Sequence, residues 1–95
     1  MQIESIRHKA LRRLFFDGNA AGLDGQLVHR LRTMLTFLLS ATSFEKLYAP
    51  PNYGLHPLVG DRAGSWSMTV SRNWRLTFVK IDEVTVGDLN LEDYH

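Results

Sequence analysis

The hydrophobic period changes halfway along the chain, and this change constrains the fold more than any other feature of the sequence. In the first half, apolar residues recur at steps of three and four, the spacing of one helix face. In the second half they alternate with polar residues, the period of a strand with one buried face. Helices followed by strands predict an α+β domain, with two N-terminal helices packed on an antiparallel β-sheet.

The first half contains two predicted helices. One covers residues 8–16 and ends at Gly18, because glycine readily adopts the left-handed conformation of a helix end. The other begins after Asp24, a residue type that caps helix N-termini, and its apolar stripe has i, i+4, i+7 spacing. The spacing of Thr42 and Glu45 matches a capping box, so we expect one more short helical turn there.

The turn between two alternating segments fixes the register of a predicted hairpin. A two-residue turn would pair Val70 with Arg75 and place the apolar residues on opposite faces. A three-residue turn at residues 71–73 pairs Val70 with Trp74 instead, so that all six apolar residues share one face. Asn73 can then occupy the left-handed position of a bulge. We therefore predict the three-residue turn.

This register places Arg75 on the polar face of the hairpin, beside Ser67 and Thr69. An arginine in such a setting is either a solvated cross-strand residue or an anion-binding group in a concave surface. The pattern leaves both interpretations open.

The end of the chain completes a β-meander. A turn is expected at residues 82–83, followed by a last strand. Its apolar phase flips across Gly87, which predicts a β-bulge there. With 95 residues the chain has room for one core, so we expect a single domain over residues 1–95.

Composition narrows the setting. The sequence has no cysteine, which suits a reducing compartment. It has no apolar run of the roughly 18 residues that a spanning helix needs. We therefore expect a soluble, cytoplasmic protein without membrane association.

The net charge is only +1, but the basic residues are concentrated at the front. Residues 1–47 contain seven Lys or Arg against four acidic residues. Such an excess fits a polyanionic partner, although solvated helix faces have the same composition. The candidate RNA- or phosphate-binding residues in this part are Arg7, Lys9, Arg12 and Arg13.

The second half contains side chains that could together form a metal-free phosphoryl-transfer site, although each of them is individually an ordinary surface group. RNA cleavage of this kind needs a group that takes the 2′-hydroxyl proton, an acid for the leaving 5′-oxygen and a cation for the phosphorane. No histidine spacing typical of a zinc site is present. The candidates are His56, Arg62, Arg75, Asp93, Tyr94 and His95.

Three stretches together resemble a known toxin family. They are IRHKALRRLF at residues 6–15, LHPLVGDRAGSWSMTVSRNWRLTF at residues 55–78, and EDYH at residues 92–95. The match is in register over nearly the whole chain. The sequence resembles the HigB-type toxins, which are the plasmid-maintenance killer protein branch of the RelE-like superfamily.

This resemblance implies a compact RelE-like microbial RNase toxin fold and a ribosome-dependent mRNA interferase. Such an enzyme enters the A site of the 70S ribosome and cuts the messenger by attack of the adjacent 2′-hydroxyl, without a metal or other cofactor. The implied partner is a helix-turn-helix antitoxin of the HigA type. The complex represses its own operon, so that operator DNA is contacted only through the antitoxin.

The resemblance also implies roles for the matching residues. Arg75 would bind the scissile phosphate, because a guanidinium presents a fixed fork to two oxygens. His56 and His95 would share the general base and acid roles in an order that the sequence leaves open. Asp93 would orient an imidazole, and Tyr94 would stack on a base or position the nucleophile.

One residue departs from the family pattern. Many members have a lysine after LHPL or LHAL, whereas this chain has Val59. The loss of a cation there would weaken phosphorane stabilisation unless Arg62 supplies the charge. Two alternatives therefore stand beside the active enzyme. The first is a weakened toxin-fold protein that mainly binds its antitoxin, and the second is a free RNA-binding protein, which the near-neutral charge disfavours.

Overall fold

The computed structural model describes residues 1–93, so that Tyr94 and His95 lie outside the described residues. Within this range the helices are α1 (Lys9–Asp17) and α2 (Gly25–Ser40). The strands are β1 (Gln2–Ile3), β2 (His56–Pro57), β3 (Ser65–Thr69), β4 (Trp74–Asp82) and β5 (Thr85–Asp93). Short 3-10 helices cover Phe44–Tyr48, Pro51–Tyr53 and Gly60–Arg62. No helix among the described residues is both long and apolar enough to span a membrane.

Both predicted helices are confirmed. Gly18 ends α1 in the left-handed conformation, with φ of 68°. Asp24 caps α2 through its side chain, whose Oδ1 accepts a hydrogen bond from the Gln26 N–H at 2.9 Å. The first helix starts at Lys9 because His8 is its N-cap, and the His8 Nδ1 accepts from the Leu11 N–H at 3.2 Å.

The short helical turn after α2 is confirmed, but the predicted capping box is wrong. The N-cap of Phe44–Tyr48 is Ser43, and no side chain caps this turn. Tertiary contacts hold it instead, since Phe44 and Leu47 are buried and the Phe44 N–H donates to the Glu83 carbonyl at 2.7 Å.

The predicted hairpin register is confirmed. Met68 lies opposite Leu76 across β3 and β4. The Val70 N–H donates to the Trp74 carbonyl at 3.0 Å, which closes the three-residue turn. The apolar residues of the hairpin all belong to the core or pack against it: Trp66, Met68, Val70, Trp74, Leu76 and Phe78.

The predicted left-handed Asn73 is wrong, whereas the bulge near Gly87 is confirmed. Among the described non-glycine residues, Asp88 alone has a positive φ, at 49°. Asp88 is the extra residue of β5 at a register shift against β4, and its N–H donates to the Ser5 Oγ at 2.9 Å. The preceding turn lies at residues 83–84, one position later than expected.

The two helices and the sheet enclose one core. The strand order is β1-β5-β4-β3-β2, and each pairing is antiparallel except that of β1, which runs parallel to β5. The apolar faces of α1 and α2 meet one face of this mixed sheet, where Leu11, Leu31 and Phe78 are among the fully buried side chains. The opposite face of the sheet is thereby left for polar side chains.

Candidate active site

A cavity of about 220 Å³ lies on the sheet face opposite the core. Ser67, Arg75 and Thr77 contribute to it because they alternate with the core residues of β3 and β4. The complete lining consists of His56, Leu58, Arg62, Ser67, Arg75, Thr77, Glu92 and Asp93. Four of the residues that the sequence nominated, from three strands and one 3-10 helix, are therefore side by side: His56, Arg62, Arg75 and Asp93.

Two small hydroxyl residues form the floor of this cavity. Ser67 and Thr77 lie directly opposite each other on β3 and β4. Their exposed fractions are only 3% and 5%, although both face away from the core. Longer side chains around them therefore exclude water from the floor. A polar floor with little access to solvent strengthens electrostatic interactions with a bound anion.

Arg75 is fixed in the wall of the cavity. Its Nη1 donates to the carbonyl of Ser71 at 2.8 Å and to that of Trp74 at 3.1 Å. Both acceptors belong to the hairpin turn and its flank, so the three-residue turn that sets the register also orients the guanidinium. A guanidinium whose plane is held in advance loses less side-chain entropy when it binds a phosphate.

His56 has its tautomer set by the backbone. Its Nδ1 lies 2.9 Å from the carbonyl oxygen of Gly54, which only accepts hydrogen bonds. Nδ1 therefore bears the proton, and in the neutral ring the lone pair is on Nε2. The pairing of His56 with Ser67 places this ring beside the cavity floor. Nε2 is thus the atom of His56 that can exchange a proton with a bound substrate.

Glu92 is a site residue that the sequence did not reveal. It accepts two hydrogen bonds from Arg62, at 2.8 and 2.6 Å, and a further one from the Thr77 hydroxyl. The hydrogen bonds from Arg62 lower the pKa of the Glu92 carboxyl, and the hydrogen bond from Thr77 lowers it further. The same contact raises the pKa of Arg62. The strand period was the available signal, since Leu91 faces the core and Glu92 must then face outward.

Of the four nominated basic residues in the first half, Arg7 is the one that adjoins the cavity. Arg7 lines a second, smaller hollow that also includes Arg62 and Glu92. Arg12 donates through Nε and Nη2 to the Ile6 carbonyl and so secures the start of α1. Arg13 lies near Gly22, since a Cβ added to Gly22 would stand 3.2 Å from the Nη2 of Arg13. Lys9 is exposed.

The remaining nominated residues are Asp93, Tyr94 and His95. Asp93 is the last residue of β5 and lines the cavity, while Tyr94 and His95 lie outside the described residues. Val59 is 84% exposed, next to Leu58 in the cavity wall. Among the described residues, no group of three or more His, Cys, Asp or Glu is placed to hold a metal ion.

The fold is shared with solved structures of other bacterial proteins. It matches the crystal structure of YafQ from E. coli strain BL21(DE3) with a TM-score of 0.65 and 20% identity, covering 97% of this chain and 91% of that chain. It also matches the YoeB/ParE toxin from Agrobacterium tumefaciens, with a TM-score of 0.54, 15% identity and complete coverage of both chains (100%). At these identities the likeness concerns the fold alone.

Sequence comparison defines the family. A family model described as the RelE-like toxin of type II toxin-antitoxin system HigB matches residues 4–95. Endoribonuclease HigB of Proteus vulgaris is 45% identical over 96 residues, which cover 98% of this chain and 99% of that protein. The chain belongs to the HigB-like toxins of type II toxin-antitoxin systems, as the sequence resemblance indicated. A toxin of this class has an antitoxin as its partner.

Proposed function

We propose that this protein is an endoribonuclease that cleaves mRNA in the cavity on the outer face of its sheet. One observation carries the proposal: His56, Arg75 and Asp93, which are distant in the sequence, line the same cavity. A proton-exchanging imidazole beside a fixed guanidinium is what cleavage of a phosphodiester requires. The 45% identity to a protein named Endoribonuclease HigB supports the same activity.

The proposed reaction is an internal transesterification. The 2′-hydroxyl oxygen attacks the adjacent phosphorus, its proton passes to a base, and a new O2′–P bond forms. The P–O5′ bond breaks as an acid gives a proton to the departing 5′-oxygen. The products are a 2′,3′-cyclic phosphate and a 5′-hydroxyl end, so that atoms and charge balance with one base and one acid.

We assign the two proton transfers to His56 and to the chain end. The Nε2 of His56 takes or gives one proton, because Nδ1 is engaged with the Gly54 carbonyl. His95 is the complementary group, and Asp93 orients an imidazole. Tyr94 stacks on a base or positions the nucleophile. Imidazoles suit both transfers because they titrate near neutral pH.

Arg75 is the proposed phosphate ligand. The carbonyls of Ser71 and Trp74 hold its guanidinium in the cavity wall. Charge that develops on the phosphorane oxygens then meets a cation that needs no reorganisation. Arg62 is the second cation of the site, and Arg7, which lines the neighbouring hollow, is the proposed ligand of the flanking RNA.

We further propose that the substrate is mRNA in the A site of the 70S ribosome, which places the activity in the cytoplasm. A net charge of +1 supports this dependence, because proteins that bind RNA unaided have a clear basic excess. The proposed antitoxin is of the helix-turn-helix HigA type, and it is the component that contacts operator DNA.

A second function is favoured by one specific observation. Val59 is 84% exposed beside the cavity, at the position where the family resemblance implies a lysine. A site with one cation fewer would cleave slowly, and the protein would then act mainly by binding its antitoxin and regulating its operon. Val59→Lys separates the two functions. A tenfold to thousandfold faster cleavage by this variant would support the weakened toxin, whereas an unchanged rate supports the enzyme as it stands.

The main test is expression in a bacterial host without the antitoxin, with transcript ends mapped. We expect growth arrest and new 5′-hydroxyl ends inside translated frames only. The double variant His95→Ala, Arg75→Ala should abolish both effects, and cuts that persist in it would overturn the site assignment. Equal cleavage of naked RNA and ribosome-bound mRNA by the purified protein would overturn the ribosome dependence.

A further inference from the structure

Glu92, which forms an ion pair with Arg62, is the charged residue of the cavity that the proposed reaction does not yet use. Arg62 belongs to the connection between β2 and β3, whereas Glu92 is on β5 at the other side of the hairpin. The pair therefore bridges the outer face of the sheet. It lines both the large cavity and the smaller hollow that contains Arg7.

The geometry of this pair is that of a fixed fork. Nη1 and Nη2 of Arg62 each donate to one carboxylate oxygen of Glu92, at 2.8 and 2.6 Å. The Thr77 hydroxyl donates to the same carboxylate from the buried floor. Bidentate pairs with a third contact restrict both partners much more than a single surface ion pair does.

A guanidinium held in this way still has donors for a ligand. Arginine presents five N–H groups, and the bidentate contact uses two of them. The Arg62 side chain is 48% exposed, against 26% for Glu92, so its outer edge faces solvent at the rim of the cavity. Glu92 thus orients Arg62 without covering it.

We propose that Glu92 is a positioning residue that fixes the Arg62 guanidinium at the rim of the cavity as a second phosphate-binding group beside Arg75. This role rests on the proposed ribonuclease function. Glu92 is poorly suited to proton transfer, because its contacts with Arg62 and Thr77 favour the ionised carboxylate and lower its pKa. Its effect on cleavage therefore passes through Arg62.

The test is single-turnover cleavage of mRNA on programmed ribosomes by full-length variants. Glu92→Gln preserves the size of the side chain but replaces one acceptor oxygen with an amide donor, which breaks the fork. We expect the rate at saturating toxin to fall about tenfold, with half-saturation changed less than about twofold. Arg62→Gln should show the same loss, and the double variant should be no slower than Arg62→Gln.

Glu83→Gln is the matched control. Glu83 forms an ion pair with Lys80 at 2.7 Å near the β4–β5 turn, and neither residue lines the cavity. This variant removes a carboxylate from an ion pair elsewhere in the same sheet, and it should cleave at the wild-type rate. Thermal unfolding of each variant separates a loss of folded protein from a loss of positioning.

Three results would overturn the proposal. Equal or faster cleavage by Glu92→Gln would mean that Glu92 merely competes with phosphate for Arg62. Further slowing in the double variant would mean that Glu92 acts independently of Arg62. A third readout needs no activity: the side-chain N–H signals of Arg62 in NMR should be resolved in the wild-type protein and averaged in Glu92→Gln, and identical spectra would refute the positioning.

The wild-type reaction distinguishes this proposal from the proposed function. If the wild-type protein leaves ribosome-bound mRNA intact, the ribonuclease function is wrong, and the NMR comparison still decides whether Glu92 positions Arg62. If the wild-type protein cleaves while Glu92→Gln matches it in rate and spectrum, the function stands and the role of Glu92 is wrong.

Discussion

The two faces of the β3–β4 hairpin are made of the same strands but differ in the contacts that their side chains make. On the core face, Met68, Leu76 and Phe78 are buried against the helices. On the outer face, Ser67 and Thr77 are nearly as buried, but they lie among charged side chains that hydrogen-bond one another. The core face therefore contributes mainly to stability, and the outer face contributes a shaped polar site.

The strongest test of this difference between the two faces is the truncation of a side chain on the core face. Phe78 is 1% exposed and contacts Phe44 with ring centroids 6.1 Å apart. Phe78→Ala should lower the free energy of unfolding by about 3–5 kcal/mol, through lost burial and the cavity left behind. Urea denaturation measures this loss.

Phe16→Ala is the control for this prediction, because Phe16 is 69% exposed on α1. It should cost less than about 1 kcal/mol. Similar losses for the two variants would mean that stability does not reside in the core face as described.

Arg75→Ala should have the next largest effect, on cleavage instead of folding. Loss of a preorganised charge at the phosphorane typically lowers the rate by about a hundredfold or more. The measurement is mRNA cleavage on ribosomes, with denaturation midpoints compared in parallel. Arg72→Ala is the control, because Arg72 is an exposed residue of the turn between β3 and β4 and does not line the cavity. Equal rates for the two variants would contradict the assignment of Arg75.

Thr77→Val tests whether the outer face also contributes to stability. The substitution keeps the shape of the side chain and removes the hydroxyl that donates to Glu92. A hydrogen bond to a charged group contributes about 1–3 kcal/mol, so we expect the free energy of unfolding to fall by about that amount. Thr69 also lies on the outer face, in β3. Thr69→Val should change the free energy of unfolding by less than about 0.5 kcal/mol. Indistinguishable denaturation curves for the two variants would remove the Thr77 contact from the account of stability.

Most of the architecture could be predicted because periodicity and turn length act locally. The register of the hairpin follows from the requirement that six apolar side chains share one face, and the pairing of Met68 with Leu76 meets it. The parallel pairing of β1 with β5 was not predicted, because it joins opposite ends of the chain and leaves no local pattern.

The misjudged details both came from local motifs. Asn73 and the pair Thr42 and Glu45 match such motifs, but the backbone does not adopt them. The buried Phe44 holds its turn without a capping box. The only left-handed non-glycine among residues 1–93 is Asp88, where Ser5 accepts from the backbone N–H.

The site was predictable in part for a similar reason. Family resemblance nominated His56, Arg75 and Asp93, which the structure brings to one cavity. Alternation along β5 gives the face that Glu92 occupies but not its partner. Arg62 is the last residue of a short 3-10 helix between β2 and β3 that no sequence period indicates, so the ion pair could be recognised only from the fold.

The smallest predicted effect is the contribution of Glu92 to the pH dependence of stability. The pKa of Glu92 in the folded protein is lowered from the ordinary value of 4.5, mainly by Arg62. The unfolded chain then binds more protons than the folded one between the two pKa values, so stability rises with pH across that interval. The contribution is complete above the unfolded pKa and is lost as the pH falls through the folded one.

Urea denaturation of the wild-type protein and Glu92→Gln, from about pH 3 to about pH 7, should reveal this contribution. The stability advantage of the wild-type protein should be constant at the upper end and should decrease toward the lower end, since glutamine does not titrate. Arg62→Gln should show a smaller pH dependence than the wild-type protein, because the largest cause of the pKa shift is removed. Parallel curves for the wild-type protein and Glu92→Gln would mean that the outer-face ion pair adds nothing to folding. The two faces would then differ more sharply, because Glu92 would serve the site alone.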